Sequence, residues 1–242
     1  MNETNFPCEN FRNWIFAQPW GSDGVITDAE IAGITSINVN NRNISDLTGI
    51  NFFTNLTSLN VAQNQLTSID VSNLTNLTTL GADGNQLTSL DVSNLTNLTL
   101  LSVAGNQLTS LDVSNMTKLE WLSAWINQLT SLDVSNLTNL ATLFVNYNQL
   151  NSLDVANLTN LTWLTASSNQ LTALDVSNLT NLTNLFVHDN QLTSLDVSNL
   201  TNLTRLWVND NQLISLDLSG LNTLADFSGD NQNPTLTLIR RR

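Results

Sequence analysis

Three features of this chain have residue types and spacings that could do chemistry. The first is a column of aspartates, Asp70, Asp91, Asp112, Asp133, Asp154, Asp175, Asp196 and Asp217, one every 21 residues. A carboxylate ladder could hold cations, but Ca²⁺ takes roughly six to eight oxygens, and no second acidic column runs beside it. The expectation is structural: in "DVSN" each carboxylate accepts hydrogen bonds from nearby backbone N–H groups or from hydroxyls of the Ser72 type. The second feature is "PWGSDGVITDAE" (19–30), where Asp23-Gly24, Ile26 and Glu30 match the second half of a calcium-binding EF-hand loop. Its first and third ligand positions are Pro19 and Gly21, so the stretch reads as a metal-free turn that caps a core. The third is His188, the only histidine, to which no recognisable motif pairs a serine or cysteine nucleophile. Neither an enzyme nor a metal or other cofactor is expected.

Composition narrows the partners. The 242 residues carry a net charge of −13, and three of the seven basic residues are Arg240, Arg241 and Arg242. So acidic a body repels phosphate backbones, which argues against nucleic acid. No apolar run approaches the ~18 residues of a membrane span, and no basic amphipathic helix is available for a lipid surface. The opening "MNETNFPCENFRNW" lacks a basic segment followed by an apolar one, so no secretory signal is expected in it. Cys8 stands alone, which excludes an intrachain disulfide, and reads as a small buried hydrophobe.

Self-comparison reveals what must position these residues. "NLTSLNVAQNQLTSIDVSNLT" (55–75) recurs with starts at Asn76, Asn97, Lys118, Asn139, Asn160, Asn181 and Asn202. Leu98, Leu101, Val103, Asn106 and Leu108 fit L-x-x-L-x-L-x-x-N-x-L, the leucine-rich repeat. Leu101 and Val103 alternate with Leu100, Ser102 and Ala104, which is strand parity, while Leu111, Val113 and Met116 supply the opposite wall of the core. The expected fold is a β-rich leucine-rich repeat solenoid, an α/β-type horseshoe with its parallel sheet on the concave face, short irregular or extended convex segments and a helical N-terminal cap. Residues 1–33 form the cap. Residues 34–222 hold one looser copy and eight 21-residue copies, and 223–242 are a decayed last repeat and tail. The asparagine column (Asn64, Asn85, Asn106, Asn127, Asn148, Asn169, Asn190, Asn211) is expected to turn the chain out of each strand by hydrogen-bonding backbone.

"NFPCENFRNWIFAQPWGSDGVITDAEIAGITSINVNNRNISDLTGI", followed by copies of "LTSLDVSNLTNLT", resembles the internalin-like leucine-rich repeat proteins of bacterial surfaces. The resemblance implies a helical cap, a concave face that binds partners, and a secreted or cell-surface location. It also implies that Val61, Ala82 and Val103 occupy the strand position where some members carry cysteine or another hydrophobe.

In register, four columns vary while the rest stay nearly constant. Three of them share the parity opposite to the core leucines and therefore face out of the sheet. These four columns collect four of the six tryptophans and the only tyrosine. Trp121, Trp125, Phe144, Tyr147, Trp163, Phe186 and Trp207 are expected to form one aromatic surface, with His188, Asp189, Arg205 and Asp210 as its polar rim. Rigid aromatic anchors among adaptable polar groups are what a recognition surface uses. The expected function is binding of a protein or peptide, with self-association through the same face left open, and replacing Trp125 or Trp163 should leave the fold untouched. The alternative is a structural or ice-ordering solenoid built on regular threonine rows such as Thr67, Thr88, Thr109 and Thr130.

Overall fold

The computed structural model describes residues 4–232 and 236–239; Arg240, Arg241 and Arg242 lie outside the described residues. It divides into two compact units, residues 1–119 and 120–242.

The first unit opens with the expected helical cap. Helix α1 spans Glu9–Phe16 and helix α2 spans Asp28–Gly33. Phe11 and Ile15 are fully buried on α1. Phe6, Phe11, Trp14, Trp20, Phe52 and Phe53 form a chain of ring contacts with centroids 5.8–6.5 Å apart, which seals the apolar end of the first coils. Cys8, at the N-cap of α1, is half-buried rather than buried, because the helix start leaves it at the cap's margin. Two carboxylates of the EF-hand-like stretch, Asp23 and Glu30, are held by local hydrogen bonds. Asp23 Oδ1 accepts from Val25 N at 3.0 Å, and Glu30 closes a reciprocal capping box with Thr27 at the start of α2.

Four parallel strands follow, β1 (Ser36–Asn38), β2 (Ser58–Asn60), β3 (Thr79–Gly81) and β4 (Leu100–Ser102). The second unit contains β5 (Trp121–Ser123), β6 (Thr142–Phe144), β7 (Trp163–Thr165), β8 (Asn184–Phe186) and β9 (Arg205–Trp207). Further on come β10 (Ser215–Asp217), β11 (Asp226–Ser228) and β12 (Thr237–Ile239). Strands β5 to β9 pair in sequence order and β11 continues on β9, while β10 and β12 pair separately. From β5 to β9 each strand lies one 21-residue copy from its neighbour, so Leu143 sits between Leu122 and Leu164. Both units are leucine-rich repeat solenoid: the central leucine of each 21-residue copy's strand is fully buried, from Leu59 to Leu206. Leu111, Val113 and Met116 close the core from the other side, at 6% exposure or less.

In the 21-residue copies the strands are only three residues long because an asparagine turns the chain after each. Asn148 Nδ2 donates to Val145 O at 3.1 Å in its own coil and to Ala124 O at 3.0 Å in the preceding one. Its Oδ1 accepts from Leu129 N at 3.0 Å. One buried amide thus bonds three backbone groups, and it shares the two carbonyls with the adjacent amides Asn169 and Asn127. Asn106 does the same in the first unit, with Val103 O, Ala82 O and Leu87 N each at 3.0 Å.

The aspartate column is structural as well. Asp91 Oδ1 accepts from Ser93 N at 3.0 Å and from Ser93 Oγ at 2.7 Å, and Asp133, Asp175 and Asp196 repeat both bonds. Donation by the serine hydroxyl and N–H holds these carboxyls below the ordinary aspartate range. In the copy where alanine replaces the serine, Asp154 keeps only the bond from Ala156 N.

Candidate functional site

On the outward face of the second unit's sheet, five rings stand in a continuous row. Trp121 and Trp163 occupy the first outward position of β5 and β7; Phe144, Phe186 and Trp207 occupy the second on β6, β8 and β9. From β5 to β8 this staggering lets each ring fill the gap left by its neighbours, while Phe186 and Trp207 stand side by side in register. The centroid steps are 5.2 Å from Trp121 to Phe144, 5.4 Å to Trp163, 6.4 Å to Phe186 and 4.7 Å to Trp207. The first three pairs are edge-to-face, the arrangement that ring quadrupoles favour.

Exposure divides the aromatics. Trp121, Trp125 and Trp207 are open to solvent, whereas Phe144, Trp163 and Phe186 are half-buried. Trp163 packs between two rings, and its Nε1 is buried without a hydrogen-bond partner. The expectation that a Trp163 change would leave the fold untouched is therefore corrected. Beneath the row, Thr142 and Ser123 are buried at 7% and 4% exposure despite their outward parity. Thr142 lies in register between Trp121 and Trp163, and Ser123 beside Phe144, so neighbouring rings cover them.

Trp125 makes no ring contact within the row, but it lines an open hollow with Phe144, Asn146, Trp163 and Thr165. Asn146 Oδ1 accepts from Thr165 Oγ1 at 2.8 Å, which fixes the polar part of that hollow. Tyr147 lies outside the row, on the turn that follows β6, with 54% of its surface exposed. Ile126 occupies the equivalent turn after β5 at 45% exposure.

These turn positions have left-handed backbone, φ 51° at Ile126 and 54° at Tyr147. In the first unit the equivalent position is Gln63, Gly84 or Gly105. A β-branched or bulky residue at such a φ is an outlier that costs on the order of 1 kcal/mol. The second unit thus holds two large exposed side chains where a strained backbone presents them.

The polar residues collect at the other end of the row. His188 lies 5.8 Å from Trp207 between ring centroids, with Nε2 3.9 Å from Asp189 Oδ2 and a buried Nδ1 that has no partner. Ser168 Oγ donates to Asp189 Oδ2 at 3.4 Å, and Asn209 Nδ2 donates to Asp210 Oδ2. Arg205 is exposed on β9, in register with Asp226 on β11. Asp226 and Asp230 are outward residues that the repeat alignment omits, since the copy holding them has lost its leucine pattern. Setting Asp226-Phe227-Ser228 under Arg205-Leu206-Trp207 would have found both. Among the described residues, no group of three or more His, Cys, Asp or Glu side chains could hold a metal ion.

Known proteins share this architecture. The family model of the endo-beta-N-acetylglucosaminidase EndoS LRR domain matches residues 33–136, and the LVIVD repeat model matches 154–187 and 185–206. The functional domain of InlJ from Listeria monocytogenes, which includes a cysteine ladder, is 32% identical over 94% of this chain and 60% of that one, with a TM-score of 0.59. The chain is an internalin-like leucine-rich repeat protein. It is also similar to the LRR protein LIC12759 of Leptospira interrogans, with 26% identity over 88% of this chain and 65% of that one, at a TM-score of 0.73. The plant peptide hormone receptor RGFR1, solved in complex with RGF2, is 25% identical over 88% of this chain and 42% of the receptor, at a TM-score of 0.74. This internalin-like chain therefore spans less than two thirds of the length of each of these three. No curated protein matches it. The strand-end column of this chain, Val61, Ala82, Val103, Ala124, Val145, Ala166, Val187 and Val208, is fully buried throughout.

Proposed function

We propose that this chain is a non-enzymatic binding protein that recognises a protein or peptide through the aromatic row of its second unit. The observation that carries the proposal is the continuity of that row, five rings in contact on a face where the first unit has Ser58, Asn60, Thr79 and Gly81. Packing alone does not need it, because the first unit builds its sheet with no aromatic ring at those positions, where its largest residue is Leu100. The strained presentation of Ile126 and Tyr147 beside the row adds an expense that a partner would offset. Solenoids of this kind commonly bind proteins, and the RGFR1 receptor is solved in complex with RGF2. The resemblance to internalins supports a secreted or bacterial-surface setting. Among the described residues, no helix is long and apolar enough to cross a membrane.

The test compares two immobilised proteins. In the second, Trp121, Trp125, Phe144, Trp163, Phe186 and Trp207 are replaced by the serine or threonine typical of the first unit. Extracts and culture fluid pass over both, and retained proteins are identified by mass spectrometry. Partners are expected on the native column alone, while circular dichroism shows that the substituted chain keeps its sheet. Identical retention on two folded proteins would overturn the proposal.

A further inference from the structure

The aromatic row is not uniform along its length, and its asymmetry indicates what it takes. At the β5–β7 end the exposed residues at the outward strand positions and the turns after them are apolar: Trp121, Trp125, Ile126 and Tyr147. At the β8–β11 end the outward residues include Asp189, Asp210, Asp226 and Asp230 around Trp207, with Arg205 among them. Arg205 is the only Lys or Arg among the described residues of this unit, so one guanidinium stands against four carboxylates. Asp189 and Asp210 are oriented by Ser168 and Asn209, whereas Asp226 and Asp230 accept no side-chain hydrogen bond within the described residues.

Such a surface favours a cation twice over. The carboxylates attract it at a range of about 8 Å in physiological salt. The tryptophan faces also receive a guanidinium or ammonium by cation–π contact, most strongly where water is excluded. Five strand spacings of ~4.8 Å separate β5 from β11, about 24 Å in all, which an extended segment of about seven residues would span.

Resting on the binding role proposed above, we infer that the occupant of this face is a basic peptide segment of about seven residues. It lies extended across the coils, with apolar side chains over Trp121, Trp125 and Trp163 and Lys or Arg side chains over Asp189, Asp210, Asp226 and Asp230.

The probe is a displayed library of random twelve-residue peptides, selected on the native chain. It is first depleted on a Trp121→Thr/Trp163→Thr double variant, which keeps every charge and so removes peptides bound by acidity alone. Survivors are expected to be net positive, with apolar residues grouped at one end. Labelled survivors should bind roughly tenfold more weakly to Asp210→Asn/Asp226→Asn/Asp230→Asn and to the exposed-site variant Trp125→Thr. Survivors that are neutral or acidic would overturn the basic occupant while leaving a binding face in place. No enrichment over the double variant would overturn the binding role itself. Sedimentation of the free chain covers the remaining occupant: a dimer that Trp125→Thr dissolves would assign the face to a second copy and refute the peptide.

Discussion

The two units of this chain are built on one frame and differ in what they display. Asn106 in the first and Asn148 in the second make the same three backbone hydrogen bonds, at 3.0–3.1 Å. Asp91 and Asp133 hold their serines alike. The outward residues are what change. In the first unit Asp83 accepts from Ser102 Oγ at 2.6 Å and from Ala104 N at 2.8 Å, a small polar network on a low surface. In the second the same face carries the ring row. A repeat solenoid can separate the two roles because the asparagine amides and strand pairing satisfy the backbone of each coil and its neighbour whatever side chains face outward. The first unit serves as the internal control for the second.

The frame should respond equally in both units, and it should give the largest effects. Asn106→Ala and Asn148→Ala each remove one amide, which leaves a buried Leu N–H without its acceptor and takes one of the donors from each of two buried carbonyls. At ~1–3 kcal/mol for the orphaned N–H and ~0.5–1.5 kcal/mol for each carbonyl bond lost, each substitution should cost about 3 kcal/mol. Chemical denaturation followed by circular dichroism measures both. Costs differing by more than about 1 kcal/mol would show that the units do not share one frame.

The display should respond unequally, residue by residue. Trp163→Ala removes a half-buried ring with two edge contacts, each worth about 0.5–1.5 kcal/mol beyond burial. A loss of about 2 kcal/mol of stability is expected, together with at least a tenfold loss of partner binding. Trp125→Ala, 39% exposed and outside the row, should cost under about 1 kcal/mol and weaken binding as much. Denaturation midpoints set beside retention on a partner column separate the two quantities. If Trp163→Ala lowered stability and left retention intact, the row would be sheet packing and no more.

This split marks where sequence reading stopped. The frame was legible because the 21-residue period places one residue type at one structural position, and Asn106 or Leu101 can be read off its column. The outward direction of Trp121 and Trp163 followed from strand parity alone. Parity says which face a side chain leaves from, but not what lies over it. Thr142 is covered only because its register partners are two tryptophans. Trp163 is half-buried because Phe144 and Phe186 flank it from adjoining strands. Asp226 and Asp230 escaped for a different reason: Phe227 replaces the leucine that would have put their copy in register.

The smallest effect sharpens the comparison most, because its sign should invert between the units. Ile126 has φ 51° in the second unit, and Gly105 has φ 61° at the equivalent turn of the first. A Cβ built on Gly105 would meet only backbone atoms of Gly84 at 3.6 and 3.7 Å, which is ordinary contact, so a side chain there pays for its backbone conformation alone. Ile126→Gly should therefore raise stability by about 1 kcal/mol, or about 2–4 °C in Tm, as the left-handed strain is relieved. Gly105→Ile should lower it by a similar amount. The same Ile126→Gly chain should bind its partner more weakly, since it loses an exposed apolar side chain beside Trp125. Calorimetric melting with a partner titration of each variant reads both signs. Stability that rises while binding falls would mean that this turn holds strain for recognition. A rise in stability with binding unchanged would leave Ile126 as an ordinary variation of the frame, and the recognition surface would end at the ring row.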